Sequence, residues 1–176
     1  HGRQTSLAAW ADAAIPVSAA CLDVALDHLP KPKATFALGL DRPLYLSVHS
    51  ATARLAPEGG ALIHAAKYLP PGQGDSPETV ERELESLLDL IQPGWRKATT
   101  YRRFLPDLTV MNAVATASQH GTRRRPGPQV SDVPGLFVVG DWVGGEGLLV
   151  DASLASAKQA AELIAAESPA SLAATT

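Results

Sequence analysis

Gly140 and Asp141 close the apolar run Leu136-Phe137-Val138-Val139, and Gly144, Gly145 and Gly147 follow shortly after. A carboxylate accepts hydrogen bonds from two neighbouring hydroxyls, which matches Asp141 to a ribose or ribityl chain, and a glycine beside it lets a ligand approach the backbone. The run before it is apolar on both faces, the pattern of a strand inside a sheet covered by helices. Ligands of such sheets sit at the carboxyl ends of strands. The glycines form a turn without side-chain obstruction, and a helix reads from Leu148-Leu149 onward. Free N–H groups at such a helix start stabilise negative charge by about 0.3–1 kcal/mol. Ala152, Ser153, Ala155, Ser156, Ala157, Ala160 and Ala161 keep that helix thin enough to pack closely. An isolated Gly-Asp is more often a turn cap, and a helix of good formers can simply lie on the surface. The two in succession point to a nucleotide-type cofactor.

Other candidate groups are weaker. His49, His64 and His120 show no HxH, HxxxH or Cys pairing, so each reads as a structural or surface histidine and no metal is expected. Ser47, His49 and Asp41 invite a hydrolase reading, but no GxSxG turn presents a nucleophile. Lys67 beside Tyr68 could reach an active site or serve as an edge charge that keeps a strand soluble. Arg123, Arg124 and Arg125 read as a solvated loop, with contact to anionic lipid as the minor alternative.

The elements that must position these groups can be traced along the chain. Cys21, Leu22, Ala25, Leu26 and Leu29 recur at helical spacing, which predicts a short helix over Ser18–Leu29 stopped by Pro30 and Pro32. Alternation predicts strands at Ala34–Leu40 and Leu44–Val48, and a third at Ala61–Leu69 after the turn Pro57-Glu58-Gly59-Gly60. Ser76-Pro77-Glu78 opens a helix by cap, ring and charge, with Val80, Leu84, Leu87, Leu88 and Ile91 as its buried stripe and Pro93-Gly94 as its end. Thr99–Leu105 reads as another strand. The stretch Gly121–Pro128 then forms an exposed linker, Gly135 to about Ala166 holds the final strand and helix, and Ser168–Thr176 is a small polar tail.

Composition bounds the partners. In 176 residues, 45% are hydrophobic and 19% charged, which suits a folded globular chain. A net charge of -3 without a basic face argues against nucleic acid, and the single cysteine, Cys21, makes no use of an oxidising compartment. No apolar run approaches the roughly 20 residues that span a bilayer. The expected address is cytoplasmic, with peripheral membrane contact through the arginine loop as an option.

The run Pro134-Gly135-Leu136-Phe137-Val138-Val139-Gly140-Asp141-Trp142, followed by Gly147-Leu148-Leu149-Val150-Asp151-Ala152-Ser153 and Ala155-Ser156-Ala157, resembles the C-terminal FAD motif of the phytoene desaturase and flavin amine oxidoreductase superfamily. Pro43-Leu44-Tyr45, Leu55-Ala56-Pro57-Glu58-Gly59, Leu62-Ile63-His64 and Phe104-Leu105-Pro106 also resemble the substrate-domain part of bacterial members. The resemblance implies that Asp141 holds ribityl hydroxyls, that the N–H near Leu149 faces the flavin's pyrimidine carbonyl, and that Gly140, Trp142, Gly147 and Leu148 line the same pocket. It implies an α/β or α+β fold: a substrate-domain segment at 1–112 with an antiparallel or mixed sheet, a linker at 113–132, the last strand and helix of a Rossmann-like FAD domain at 133–167, and a disordered tail at 168–176. The glycine turn and ribose-binding acid of an N-terminal nucleotide-binding half have no counterpart in the sequence. The implied activity is hydride transfer from a small organic substrate to flavin, inactive without that half. The implied partner is the N-terminal half itself, or a second copy joined through the surface where that half docks. A non-catalytic module for an apolar ligand or partner protein is the competing reading, and no catalytic residue is evident.

Overall fold

A computed structural model describes residues 5–71 and 74–167. The tail read at 168–176 lies outside the described residues. The fold is α+β, and it divides into two compact units: Val17–Val110, and the N-terminal residues up to Pro16 together with those from Met111 onward.

The Val17–Val110 unit is built on a sheet of β1 (Val17–Leu26), β2 (Phe36–Leu38), β3 (Leu44–Val48), β4 (Ala61–Leu69) and β5 (Thr99–Met111), in the order β2-β3-β4-β1-β5. Antiparallel pairing sets Leu22 opposite Ala65, Leu46 opposite Ala65 and Ala37 opposite Leu46. Because side chains alternate across a strand, this register puts Leu22, Val24, Leu46, Val48 and Ile63 on one face. There they pack against Val80, Leu84 and Leu88 of α2 (Pro77–Ile91) and Trp95 of the short α3 (Trp95–Ala98). The Ser76 hydroxyl accepts from Thr79 N at 3.3 Å, Pro77 takes the first helical position, and the predicted stripe is the one that packs. Past the end of α2, the fully buried Gln92 clamps the loop before β2: its Nε2 donates to the carbonyls of Lys31 and Ala34, and its Oε1 accepts from Lys31 N.

Three expectations fail for identifiable reasons. Residues 18–29 do not form a helix; most of them are strand β1. Two neighbouring strands and core on both faces bury Ala19 to Leu22 together, so the run reads as continuously apolar and mimics helical spacing. β5 runs past Pro106 to Met111 rather than stopping at Leu105, because an edge strand loses nothing when one residue has no N–H to donate. Residues 136–139 are extended but form only one isolated bridge, Gln129 to Phe137, with Val138 N donating to Pro128 O at 2.7 Å. Within the described residues only this short stretch offers backbone partners, so Leu136 and Val139 stay partly exposed.

The other unit holds α1 (Ser6–Ala13) and α4 (Val150–Glu167). Thr5 caps α1, and Ser6 N donates to Asp132 Oδ2 at 2.8 Å.

Candidate cofactor site

Of the residues singled out by the motif, Gly140, Asp141 and Trp142 lie in a turn fastened to α4, and Gly147, Leu148 and Leu149 lead into its first turn. Gly140 has φ +155, and a Cβ there would stand 2.8 Å from Trp142 Nε1, so the position accepts no side chain without displacing the indole. The turn is fastened to α4 by Ser156, which is 1% exposed. Its Oγ accepts from Gly140 N at 3.1 Å, and its single proton faces Gly140 O and Ser153 O at 3.2 and 3.0 Å. Asp141 is half-buried, and its Oδ1 receives one long hydrogen bond, 3.5 Å, from Asn112 Nδ2. Its lone pairs are otherwise available to hydroxyls.

Gly147, at φ +69, turns the chain into α4, and a Cβ there would meet Asp151 Cβ at 2.9 Å. Leu149 holds φ +52, a left-handed conformation that a leucine adopts at a cost of about 1 kcal/mol. Its carbonyl accepts from Ser153 N at 3.1 Å, which begins the helical ladder, while its own N–H has no partner among the described residues. Arg125 Nη1 donates to Gly147 O at 3.0 Å, so this arginine braces the turn instead of standing in a solvated loop. Among the described residues no hydrogen bond joins the Asp141 carboxylate to Gly147, Leu148 or Leu149.

Trp142 stacks on Trp10 of α1, with centroids 4.2 Å apart. Both indoles wall a cavity of about 340 Å³ that Ala113, Gln119, Arg124 and Arg125 also line. Sequence reasoning missed Trp10, Asn112 and the clamp by Ser156. The only local signal for the last was a hydroxyl among the alanines of α4, and Gly140 lies 16 positions away from it.

The remaining candidates fall into a separate cluster or none. Ser47, His49 and Asp41 make no hydrogen bond with one another among the described residues, whereas Ser47 sits directly across the sheet from His64. His64 is not an isolated surface histidine: Asp23 holds its Nδ1, and His49 stacks on its ring. Lys67 is not an edge charge, since β4 is the central strand, and its Nζ donates to Glu83 of α2 and to Asp75 at 2.6 and 2.7 Å. Those bonds, the one to Asp75 foremost, hold its ammonium above the ordinary lysine range. Among the described residues, no group of three or more His, Cys, Asp or Glu side chains is placed to hold a metal ion, and no helix is long and apolar enough to cross a membrane.

No family model matches the sequence, and no curated protein matches it. Among solved structures, the fold is similar to that of an oxidoreductase from Methanosarcina mazei, with a TM-score of 0.59, 22% identity, and coverage of 86% of this chain and 35% of that one. This chain therefore spans about a third of that neighbour's length. At that identity the likeness establishes the fold.

Proposed function

We propose that this chain is the C-terminal part of an FAD-dependent oxidoreductase of the desaturase or amine-oxidase type. The observation that carries the reading is the Gly140–Trp142 turn, fixed to α4 through Ser156, with a half-buried carboxylate whose lone pairs are largely unused. The M. mazei oxidoreductase, similar over 86% of this chain but matched over only 35% of its own greater length, supports the reading.

The residues present fit the group. Asp141 accepts from ribityl hydroxyls, Gly140 lets the ribityl chain reach the backbone, and the free N–H of Leu149 with the start of α4 offsets charge at the pyrimidine edge. Trp142, Gly147 and Leu148 complete the wall. Bound there, the flavin supplies the capacity to accept a hydride from an organic substrate; the chain's own part is to bind, orient and exclude water. The adenine and pyrophosphate ends call for a glycine-turn domain encoded upstream, and the exposed Leu148, Leu149 and Val150 are the apolar surface it would cover. The working location is the cytoplasm, with peripheral membrane contact through Arg123 and Arg124.

A binding module without redox chemistry is the second reading, favoured by the indole-walled cavity, which is large enough for a small apolar ligand. Sequencing upstream of this segment and recording the absorbance of the whole purified gene product separates the two. A flavin spectrum that Asp141→Ala weakens by about tenfold or more in FAD affinity is the expected result, at about 1.4 kcal/mol per tenfold. A colourless full-length product refutes the proposal.

A further inference from the structure

The cavity of about 340 Å³ beside the Trp10–Trp142 stack belongs wholly to the compact unit formed by the N-terminal residues and those from Met111 onward. Of the residues assigned to the cofactor, only Trp142 lines it. Its walls are tied to one another. Val114 N donates to Ile15 O at 2.9 Å and Gln119 Nε2 to Ala13 O at 3.0 Å, which joins the end of α1 to the segment that leads to the arginines. Gln119 Oε1 in turn accepts from Thr116 Oγ1 at 3.1 Å, so both ends of the amide are held. Past the arginines, Gly144 N donates to Pro126 O at 2.8 Å, and Arg125 Nη1 to Gly147 O at 3.0 Å. A site whose walls are already hydrogen-bonded loses little freedom when it is filled.

The chemistry of the lining is one-sided. The stacked indoles and small residues such as Ala14 and Ala113 supply apolar surface, Arg124 and Arg125 supply positive charge, and no acidic side chain lines the cavity. Among the described residues Arg124 has no carboxylate partner, and Arg125 uses one N–H on Gly147 O and keeps its other donors. In the sheet unit, by contrast, Arg42, Arg96, Arg102 and Arg103 each pair with a carboxylate. Two adjacent cations without a counter-charge raise the local concentration of anions, and the planar fork of a guanidinium matches a carboxylate. A flat ring suits the indoles, whose planes the stacking fixes. A neutral apolar ligand would leave the charges unanswered, and a bare inorganic anion would leave the aromatic wall unused.

We propose that this cavity is a binding site for a small planar aromatic carboxylate, with its ring against the indoles of Trp10 and Trp142 and its carboxylate held by Arg124, Arg125 serving as a second donor. The volume lies near the lower end of the range for small-molecule sites, about 300–1,000 Å³, which fits a single ring system with a short acidic arm. Binding involves no redox step, so the site stands apart from the flavin reading.

The test is a titration of the whole gene product, labelled with 5-fluorotryptophan and followed by fluorine NMR, with phenylacetate as the probe. The Trp10 and Trp142 signals, assigned through Trp10→Phe and Trp142→Phe, should shift saturably, whereas Trp95, buried in the sheet unit, should not move. Arg124→Gln, a change at an exposed position, should weaken binding about tenfold or more, as expected for loss of a hydrogen bond between charged groups. Benzyl alcohol, which keeps the ring without the charge, and acetate, which keeps the charge without the ring, should each bind at least about tenfold more weakly than phenylacetate. Indole signals indifferent to phenylacetate overturn the proposal, as does an Arg124→Gln variant that binds like the wild type. Benzyl alcohol binding as tightly makes the cavity a plain apolar one, and phenyl phosphate binding more tightly makes it a phosphate site; either result overturns the carboxylate assignment. A colourless product that binds phenylacetate refutes the flavin reading alone, and a flavin-bearing product whose indoles ignore phenylacetate refutes this site alone.

Discussion

Replacing Ser156 by alanine removes one oxygen from a helix that otherwise suits alanine, yet it should loosen the turn that presents Asp141. Ser156 is 1% exposed, and its Oγ is the acceptor for Gly140 N at 3.1 Å. Gly140 O retains Val143 N as a donor at 3.1 Å, so the loss falls on one partly buried N–H. Leaving a buried donor unsatisfied costs about 1–3 kcal/mol. At about 1.4 kcal/mol per tenfold, that is roughly a 5- to 150-fold rise in local opening. Amide hydrogen exchange read by NMR reports it directly: the Gly140 N–H should exchange faster by that factor, while the Leu22 amide in β1 should not change. Ser156→Thr, which keeps the hydroxyl, should restore most of the protection. If Gly140 exchanges at the wild-type rate in the alanine variant, Ser156 does not fasten the turn and the account of how Asp141 is held is wrong.

Gly147→Ala should destabilise the entry to α4 by about 1–3 kcal/mol, because φ is +69 and the new methyl would meet Asp151 Cβ at 2.9 Å; circular dichroism during thermal unfolding measures the loss. Cys21 is 2% exposed, and burial, helped by the Asp23 charge, pushes its thiol above the ordinary range, so it should react with a disulfide reagent at pH 8 only after urea unfolds the sheet. Because the Asp23 carboxyl titrates below its unfolded value, its contribution to stability is present above about pH 4 and is lost as pH falls through the folded value. The difference in urea midpoint between wild type and Asp23→Asn should therefore shrink on acidification from pH 7 to below that range, and a constant difference would contradict the ion pair with Arg103.

The parts of the fold that can be read from residues alone are those whose signals are local. Ser76-Pro77-Glu78 and the stripe Val80, Leu84, Leu88 announce α2 because cap and period act within one helix, and β3 and β4 show because alternate residues of each meet the core. β1 is opaque: from Ala19 to Leu22 both of its faces meet buried core, and the period of two disappears. The glycines and Asp141 of the 140–147 segment are visible as a cluster, but what fixes them is not. Ser156 reaches Gly140 from the far side of the glycine turn, and Asp23 meets His64 from 41 residues away through strand register alone. Pairings of that kind are decided by packing, which spacing does not record. Trp10 gives no local signal for the same reason, since stacking on Trp142 needs distant parts of the chain brought together.

Pro106 in β5 has a bearing on how crowded molecules behave. A thirteen-residue strand at the rim of a sheet is a natural template on which another chain could lengthen the ladder. At position 106 the incoming strand would find no hydrogen to accept, and the neighbouring Arg102, Arg103 and Asp107 would have to surrender water along the new seam. The proline that the edge position tolerates thus also keeps the strand from recruiting strangers, and the Pro106→Ala variant should clump sooner at high concentration.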